Sequence, residues 1–443
     1  MSNGHTGIGL RSLFRNTSST VGRQLNAGLL GLATLVIIAR VYGPVANGAY
    51  AVALLLPTML STFLNLGIGS ANVYYLASGK YRPRAVLRTS VILAAWLSLL
   101  GLGVGGLLIV WYGDSLFPGV PVTMLWLALL AFPIMLLQQS VTSIFQGLQK
   151  FGLFNLSLML QPLVTLAIVI GLSVAGVESF SWLITANLLG VASTLLITGV
   201  LLRRYLDEGE PGQNYEMREA VTYGYKAHLG NILGFANYKA DMFLVNFLIN
   251  PAAAGVYVIA VSISERLWVL SGAVSTVALP RLAGLSGDES IRRTLTPLLS
   301  RIVLFVTLAG ALAIALIASP LVSLVFGSEF SASVLPLKLL LPGIVVASAA
   351  RIMANDIAAR GRPELNMYTS IVTLTTNIVG NLLLIPEFGL AGAAIATTVA
   401  YTINLLLRVY VYWRLTGVAP LEVLIVQRKD FLSLKRLAAG YRR

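Results

Sequence analysis

Twelve apolar windows dominate this chain, each about the ~20 residues that a helix needs to cross a bilayer core. They cover residues 20–42, 47–77, 86–112, 122–147, 153–175, 180–202, 223–248, 253–279, 297–318, 332–358, 365–385 and 390–413. No polar shell can cover so many runs. Only 11% of the 443 residues are charged, against roughly 25% in a soluble domain. Mean hydropathy is +0.82. A soluble enzyme is therefore excluded. Backbone polar groups in lipid must be satisfied within their own segment, and the alternation of a barrel strand is missing. The windows read as helices, and the expected fold class is an all-α polytopic membrane protein with twelve transmembrane helices. Its connectors are short and carry Gly, Pro or charge, as at Tyr42-Gly43-Pro44, Phe117-Pro118-Gly119, Asn250-Pro251 and Phe326-Gly327-Ser328.

Lys and Arg orient the stack. Alternate connectors hold Lys80, Arg82, Arg84 and Arg88, then Lys150, then Arg203, Arg204, Arg218 and Lys226, then Arg281, Arg292, Arg293 and Arg301, then Arg360 and Arg362. The tail adds Arg414, Arg428, Lys429, Lys435, Arg436, Arg442 and Arg443. The opposite connectors hold Asp114, Glu178, Glu329 and Glu387. Both termini are expected in the cytoplasm, with the chain in the cell (inner) membrane. Residues 1–20 carry Arg11 and Arg15 without a short apolar core and cleavage site, and read as an amphipathic lead-in. The net charge of +14 is spread over connectors, with no basic soluble module, so nucleic acid is not an expected partner. Cysteine is absent and histidine is limited to His5 and His228, so no metal site and no cofactor are expected.

The halves resemble each other. Gly43-Pro44-Val45-Ala46-Asn47-Gly48-Ala49-Tyr50 parallels Asn250-Pro251-Ala252-Ala253-Ala254-Gly255-Val256-Tyr257. Leu116-Phe117, Pro133 and Gly147 find counterparts in Val325-Phe326, Pro342 and Gly361, in order and at nearly constant spacing. Six helices is an even number, so both copies keep one topology and repeat about an axis along the membrane normal. The expected domains are an N-terminal six-helix lobe at 1–203, a linker at 204–222, a C-terminal six-helix lobe at 223–414 and a basic cytoplasmic tail at 415–443. Two pseudo-symmetric bundles suit a transporter whose substrate binds at the seam of the repeats.

Ionisable residues inside spans are costly and point to function. They are Arg23, Lys239, Asp241, Glu265, Arg266, Arg351, Asp356 and Arg408. At helical spacing, Asn16, Ser19, Thr20, Arg23, Asn26 and Thr34 form one stripe. His228, Asn231, Lys239 and Asn246 form another. Both are too polar for lipid. Asp356 and Arg360 are spaced as a helix-surface pair, and His228 reads as a satisfied polar residue. The carboxylates of residues 1–206, Asp114 and Glu178, both fall in outer connectors. A central cavity lined by Arg23, Lys239, Arg266 and Arg351, with Asn26 and Asn231, suits an anion, and guanidinium matches phosphate oxygens with paired donors. Asp241 and Glu265 are candidates for coupling to H+ or Na+, the alternative role being neutralisation of a nearby cation.

Ala39-Arg40-Val41-Tyr42-Gly43-Pro44 through Tyr50, Phe145-Gln146-Gly147-Leu148-Gln149-Lys150-Phe151, Asp241 with Gly255-Val256-Tyr257, and Leu279-Pro280-Arg281-Leu282-Ala283 carry a family resemblance. From about residue 10 to residue 415 the chain resembles the bacterial polysaccharide flippases. These are the Wzx-type O-antigen and exopolysaccharide transporters of lipopolysaccharide and polysaccharide biosynthesis, in the multidrug/oligosaccharidyl-lipid/polysaccharide (MOP) superfamily. The resemblance implies a two-lobe exporter, not an enzyme. It would move undecaprenyl-pyrophosphate-linked oligosaccharide from inner to outer leaflet by alternating access. The cationic lumen would face the pyrophosphate, with the prenyl tail in membrane lipid. A monomer is expected, working beside polysaccharide assembly proteins. The alternatives are a multidrug or organic-ion antiporter of the same superfamily, which lacks its carboxylate in the first half, and a membrane glycosyltransferase or polymerase, which lacks a large outer loop. A lipid II flippase shares the cationic logic but usually has fourteen spans.

Overall fold

The computed structural model describes residues 6–206, 215–269, 271–272, 274–275 and 289–425, with the side chains of 6–21, 23–25, 226 and 227 outside that description. The described residues are almost entirely helical. Helix α1 (Thr6–Ala53) runs through the first window into the second. It turns at Gly43, whose φ of 75° is cheap only for glycine. Pro44 follows and opens the new helical stretch, where a missing N–H costs nothing.

The window at 47–77 was expected as one uninterrupted span. The structure corrects this: α2 (Leu55–Leu64) and α3 (Ile68–Ala77) are separate helices. At the break Leu66 and Gly67 take φ of 49° and 69°. Asn65 Oδ1 accepts the Gly67 N–H at 2.9 Å. The Phe63 carbonyl accepts from the His228 ring at 2.9 Å. Those contacts satisfy part of the backbone that the break frees, as helices in lipid require. Gly224 is the reason the segment fits: a Cβ there would lie 2.3 Å from the Leu66 carbonyl oxygen.

The next windows form α4 (Pro83–Leu116), α5 (Val122–Gly147), α6 (Phe151–Val174), α7 (Ser181–Leu202) and α8 (Met217–Leu248). Then come α9 (Pro251–Ser264) with a one-turn 3-10 extension Glu265–Leu267, α10 (Glu289–Val325), α11 (Val334–Ala359) and α12 (Pro363–Thr416). Helix α12 holds the last two windows and bends at Gly389, φ 55°. A short α13 (Pro420–Leu424) follows. Large apolar side chains such as Trp96, Trp111, Val174, Leu316 and Leu324 are exposed. A surface of that kind belongs in lipid.

By contact the chain divides into two compact units, 1–258 and 259–443. In the first, Ile68, Val86, Ile144, Phe145 and Leu202 form a buried core that also takes in Tyr215 and Ala220. Part of the charged connector at 204–222 is thus packed, and Thr89 donates to the Tyr215 carbonyl at 2.6 Å. In the second, Ala349, Met353, Leu405, Val409 and Tyr412 form a core.

The repeated motif meets itself within the first unit. A Cβ on Gly48 would sit 1.6 Å from the Pro251 carbonyl oxygen, and a Cβ on Gly255 would sit 2.1 Å from that of Pro44. Each copy thus presents the same glycine to the same proline of the other. Asn47 Nδ2 donates to the Gly255 carbonyl at 2.8 Å across this crossing. Small residues let the backbones approach, as in other packed membrane helices.

Candidate functional site

The predicted cations fall on both units. Lys239, on α8 of the first unit, is half-buried, and no carboxylate lies within ion-pair distance among the described residues. The backbone of Arg23 is helical, while its side chain lies outside the description; Asn26, one turn on, is exposed. In the second unit Arg266 occupies the single turn after α9, beside Glu265. Its Nε–H is buried with no hydrogen-bond partner among the described residues. Arg351, from α11, sets its guanidinium 5.9 Å from the ring centroid of Trp268. Trp268 follows Arg266 by two residues on the chain. A cation over an indole face is attracted by the ring quadrupole.

The carboxylates are more constrained. Asp241 is buried; its Oδ2 accepts from the Tyr257 hydroxyl at 2.9 Å and its Oδ1 from the Met242 N–H at 2.7 Å. Glu265 is half-buried. Asp356 departs from the expectation of a surface pair. It does pair with Arg360 at 3.0 Å, but it is fully buried, and Arg292 reaches its other oxygen at 2.8 Å. Arg360 continues to Glu289 at 2.9 Å. The spacing showed the i, i+4 pair and not the third partner, which comes from α10.

The polar face of α8 is also divided. His228 and Asn246 are buried against protein, while Asn231 is exposed and lines a cavity of about 740 Å³. The cavity lies wholly in the first unit. The helix break contributes Asn65 and Gly67, α5 contributes Gln138, Gln139, Thr142 and Gln146, α6 contributes Ser157 and Gln161, and α3 and α8 contribute Tyr74 and Tyr223. Among the described residues no Asp, Glu, Lys, Arg or His lines it. Gln139 donates to Ser61 at 2.7 Å and Gln138 to Thr142 at 3.2 Å. Behind this wall Asn72 donates to Ser90 and Ser143 at 2.9 and 3.1 Å. Sequence reasoning missed the glutamines because it counted charges. Their signal was present: five amides in or beside otherwise apolar windows, at 138, 139, 146, 149 and 161.

Tyrosines surround one end of the cavity. Tyr74 and Tyr223 stack at 4.5 Å with their planes 16° apart, and Tyr75, Tyr81 and Tyr215 pack behind them. Lys80 lies over the Tyr75 and Tyr81 rings and 3.1 Å from Glu219, which also accepts from the Tyr81 hydroxyl. Hydrogen bonds from Tyr81 and then Lys80 hold the Glu219 carboxyl below its ordinary range. Hydrogen bonds to Tyr81 and then Glu219 raise Lys80.

Comparison with known proteins gives the family and the fold. A family model described as polysaccharide biosynthesis protein matches residues 13–286. Over 200 residues the chain is 22% identical to a protein of Haloferax volcanii named as a low-salt glycan biosynthesis flippase, Agl15, covering 44% of this chain and 41% of that protein. The chain thus spans about two fifths of that relative's length. With a Shigella flexneri protein named as an O-antigen transporter it shares 22% identity over 413 residues, covering 88% of this chain and 95% of that one. The fold matches that of the lipid II flippase MurJ in its inward closed conformation, with a TM-score of 0.73 at 15% identity, over 93% of this chain and 89% of MurJ.

Proposed function

Because the chain belongs to the family of polysaccharide biosynthesis proteins, we propose that it is a flippase that carries a polyprenyl-diphosphate-linked oligosaccharide from the inner to the outer leaflet of the cell membrane. The Lys and Arg distribution supports cytoplasmic termini, so the glycan lipid is taken from the cytoplasmic side. One observation carries the anionic part of this reading. The Arg266 Nε–H is buried with no acceptor among the described residues, and a buried, unsatisfied donor on a charged group is costly unless a ligand completes it. A diphosphate supplies acceptor oxygens that match guanidinium. Lys239, Arg351 and Arg23 add positive charge in the spans, and Asn26 and Asn231 add neutral polar contacts. Asp241 and Glu265 are the carboxylates that these spans offer for coupling to H+ or Na+. The membrane lipid itself holds the prenyl tail.

The test is surface glycan display in cells whose only copy of the transporter is the variant, with protein levels matched. Lys239→Ala and Arg266→Ala each remove a charge-assisted contact worth about 1.5–3 kcal/mol. Each is expected to lower display roughly ten- to a hundred-fold. Arg266→Lys retains part of the activity, since charge survives and paired donors are lost. Unchanged display in both alanine variants would refute the reading. An exporter of organic cations would respond with the opposite sign.

A further inference from the structure

The first-unit cavity has a chemistry of its own. Its lining among the described residues is neutral, rich in amides and hydroxyls, and bordered by a tyrosine stack. An amide offers two donors and an acceptor oxygen together, whereas a phosphate offers acceptors only and calls for positive charge. A diphosphate therefore finds nothing here that Lys239, Arg266 or Arg351 does not supply better. A cationic ligand finds no carboxylate, and a prenyl chain finds too many polar groups. What remains is a ligand whose groups each donate and accept and which also carries apolar patches. A sugar ring, with its hydroxyls and its C–H faces, meets both conditions. Tyrosine is suited to it, with an apolar ring face and a polar tip.

Two further observations point to a ligand. Gln146, Gln161 and Asn231 line the cavity and make no hydrogen bond to protein among the described residues. Gln146 and Asn231 are exposed there. Amides in a membrane protein without protein partners are tolerated where they face water or a ligand. The wall also includes the broken helix, with Leu66 at φ 49° although it is not glycine. Strain of that kind gathers at binding sites, and broken helices line substrate cavities in transporters. The volume, about 740 Å³, falls in the ~300–1,000 Å³ range of small-molecule sites.

We propose that this cavity binds the uncharged sugars of the transported glycan, through Gln146, Gln161, Asn231 and the Tyr74–Tyr223 pair, separately from the cations that take the diphosphate. The inference rests on the flippase reading above and adds to it a site where glycan identity is sensed. Substrates would be told apart by their sugars in the first unit, while the diphosphate gives the same anchor to all of them.

The experiment uses the full chain, purified and reconstituted into vesicles, with two fluorescent probes: a bare prenyl diphosphate and the same lipid carrying a neutral trisaccharide. The substitutions are Gln146→Met with Gln161→Met, which keep side-chain length and remove the amides. Transport of the trisaccharide lipid is expected to fall about tenfold or more in the double variant. The rate for the bare lipid should stay unchanged. Gln146→Asn with Gln161→Asn should recover part of the loss. An undiminished trisaccharide rate overturns the sugar site and leaves the flippase reading standing. Equal slowing of both lipids also overturns it, because the side chains then serve folding or general transport. If the unsubstituted protein moves neither lipid, the flippase reading fails, and the sugar site fails with it.

Discussion

In the first unit a set of amides and hydroxyls among apolar helices is arranged around an open space. In the second, Arg292, Asp356, Arg360 and Glu289 meet as a chain of ion pairs. Both sets are costly in a membrane protein, and each offsets the cost differently. In the ion-pair network both oxygens of Asp356 are occupied by guanidinium nitrogens at 2.8 and 3.0 Å, while Arg360 Nη2 is buried without a hydrogen-bond partner among the described residues. It joins α10 to α11. The cavity keeps donors and acceptors unspent on Gln146, Gln161 and Asn231. Polar side chains that satisfy one another hold helices together, while those left unsatisfied around a hydrated space are available to a substrate.

The comparison breaks most directly at Asp356. Asp356→Asn leaves Arg292, only 4% exposed, without its counter-charge. Removing one partner of a buried pair costs about 3–5 kcal/mol. The expected outcome is a large fall in Tm and in monodisperse protein on size exclusion. Arg292→Met combined with Asp356→Leu should recover much of it, since an apolar pair of similar volume carries no stranded charge. An Asp356→Asn protein as stable as the parent would show that the network is not structural.

The crossing of the repeated motifs comes next. Gly48→Ala and Gly255→Ala each place a Cβ against a backbone carbonyl that cannot rotate away. Each should lose about 1–3 kcal/mol, as overpacked sites do. The two losses should not add, because they strain one contact. Thermal unfolding of the single and double variants measures this, and simple additivity would mean that the two glycines act independently.

The cavity amides give the contrasting result. Gln146→Met should shift stability by less than about 0.5 kcal/mol, since it breaks no bond to protein. A Tm loss as large as that of Asp356→Asn would place Gln146 with the structural groups.

The smallest effect belongs to the cavity's edge. Glu219 has a lowered pKa, so its contribution is full above the ordinary carboxylate value, about 4.3. That contribution is lost as pH falls through the lowered one. Lys80 has a raised pKa, so its contribution is full below the ordinary lysine value, about 10.4. It is lost as pH rises through the raised one. The pair is solvent-screened and contributes little at neutral pH. Glu219→Gln should therefore leave stability at pH 7 nearly unchanged and flatten only the acid limb of Tm against pH. An unchanged acid limb would show that Glu219 is not the group titrating there.

Much of the fold was legible because lipid imposes few solutions. Helix length, glycine and proline at connectors and the Lys/Arg bias located α4 to α7 to within a few residues. The break at Asn65–Gly67 was not legible. Asn65 and Gly67 are turn residues but sit inside an apolar window, and what makes the break possible is Gly224, distant in sequence. The cations were found by their cost in a span. The glutamines were not, since an amide is inexpensive enough to pass as a packed polar residue until the fold shows that four of them line one cavity. The Arg292–Asp356 pair was hidden because Arg292 reads as a connector charge, and only packing of α10 on α11 buries it.

The central claim is that this chain moves a glycan-bearing anionic lipid across a bilayer with the help of cations in its spans. The direct measurement is reconstitution of the purified chain into vesicles holding a fluorescent prenyl-diphosphate trisaccharide, with an added glycosidase reporting what reaches the outer face. The account predicts movement well above protein-free vesicles, reduced roughly ten- to a hundred-fold by Lys239→Ala or Arg266→Ala. Movement no faster than in empty vesicles, or equal rates in the parent and both variants, would contradict it.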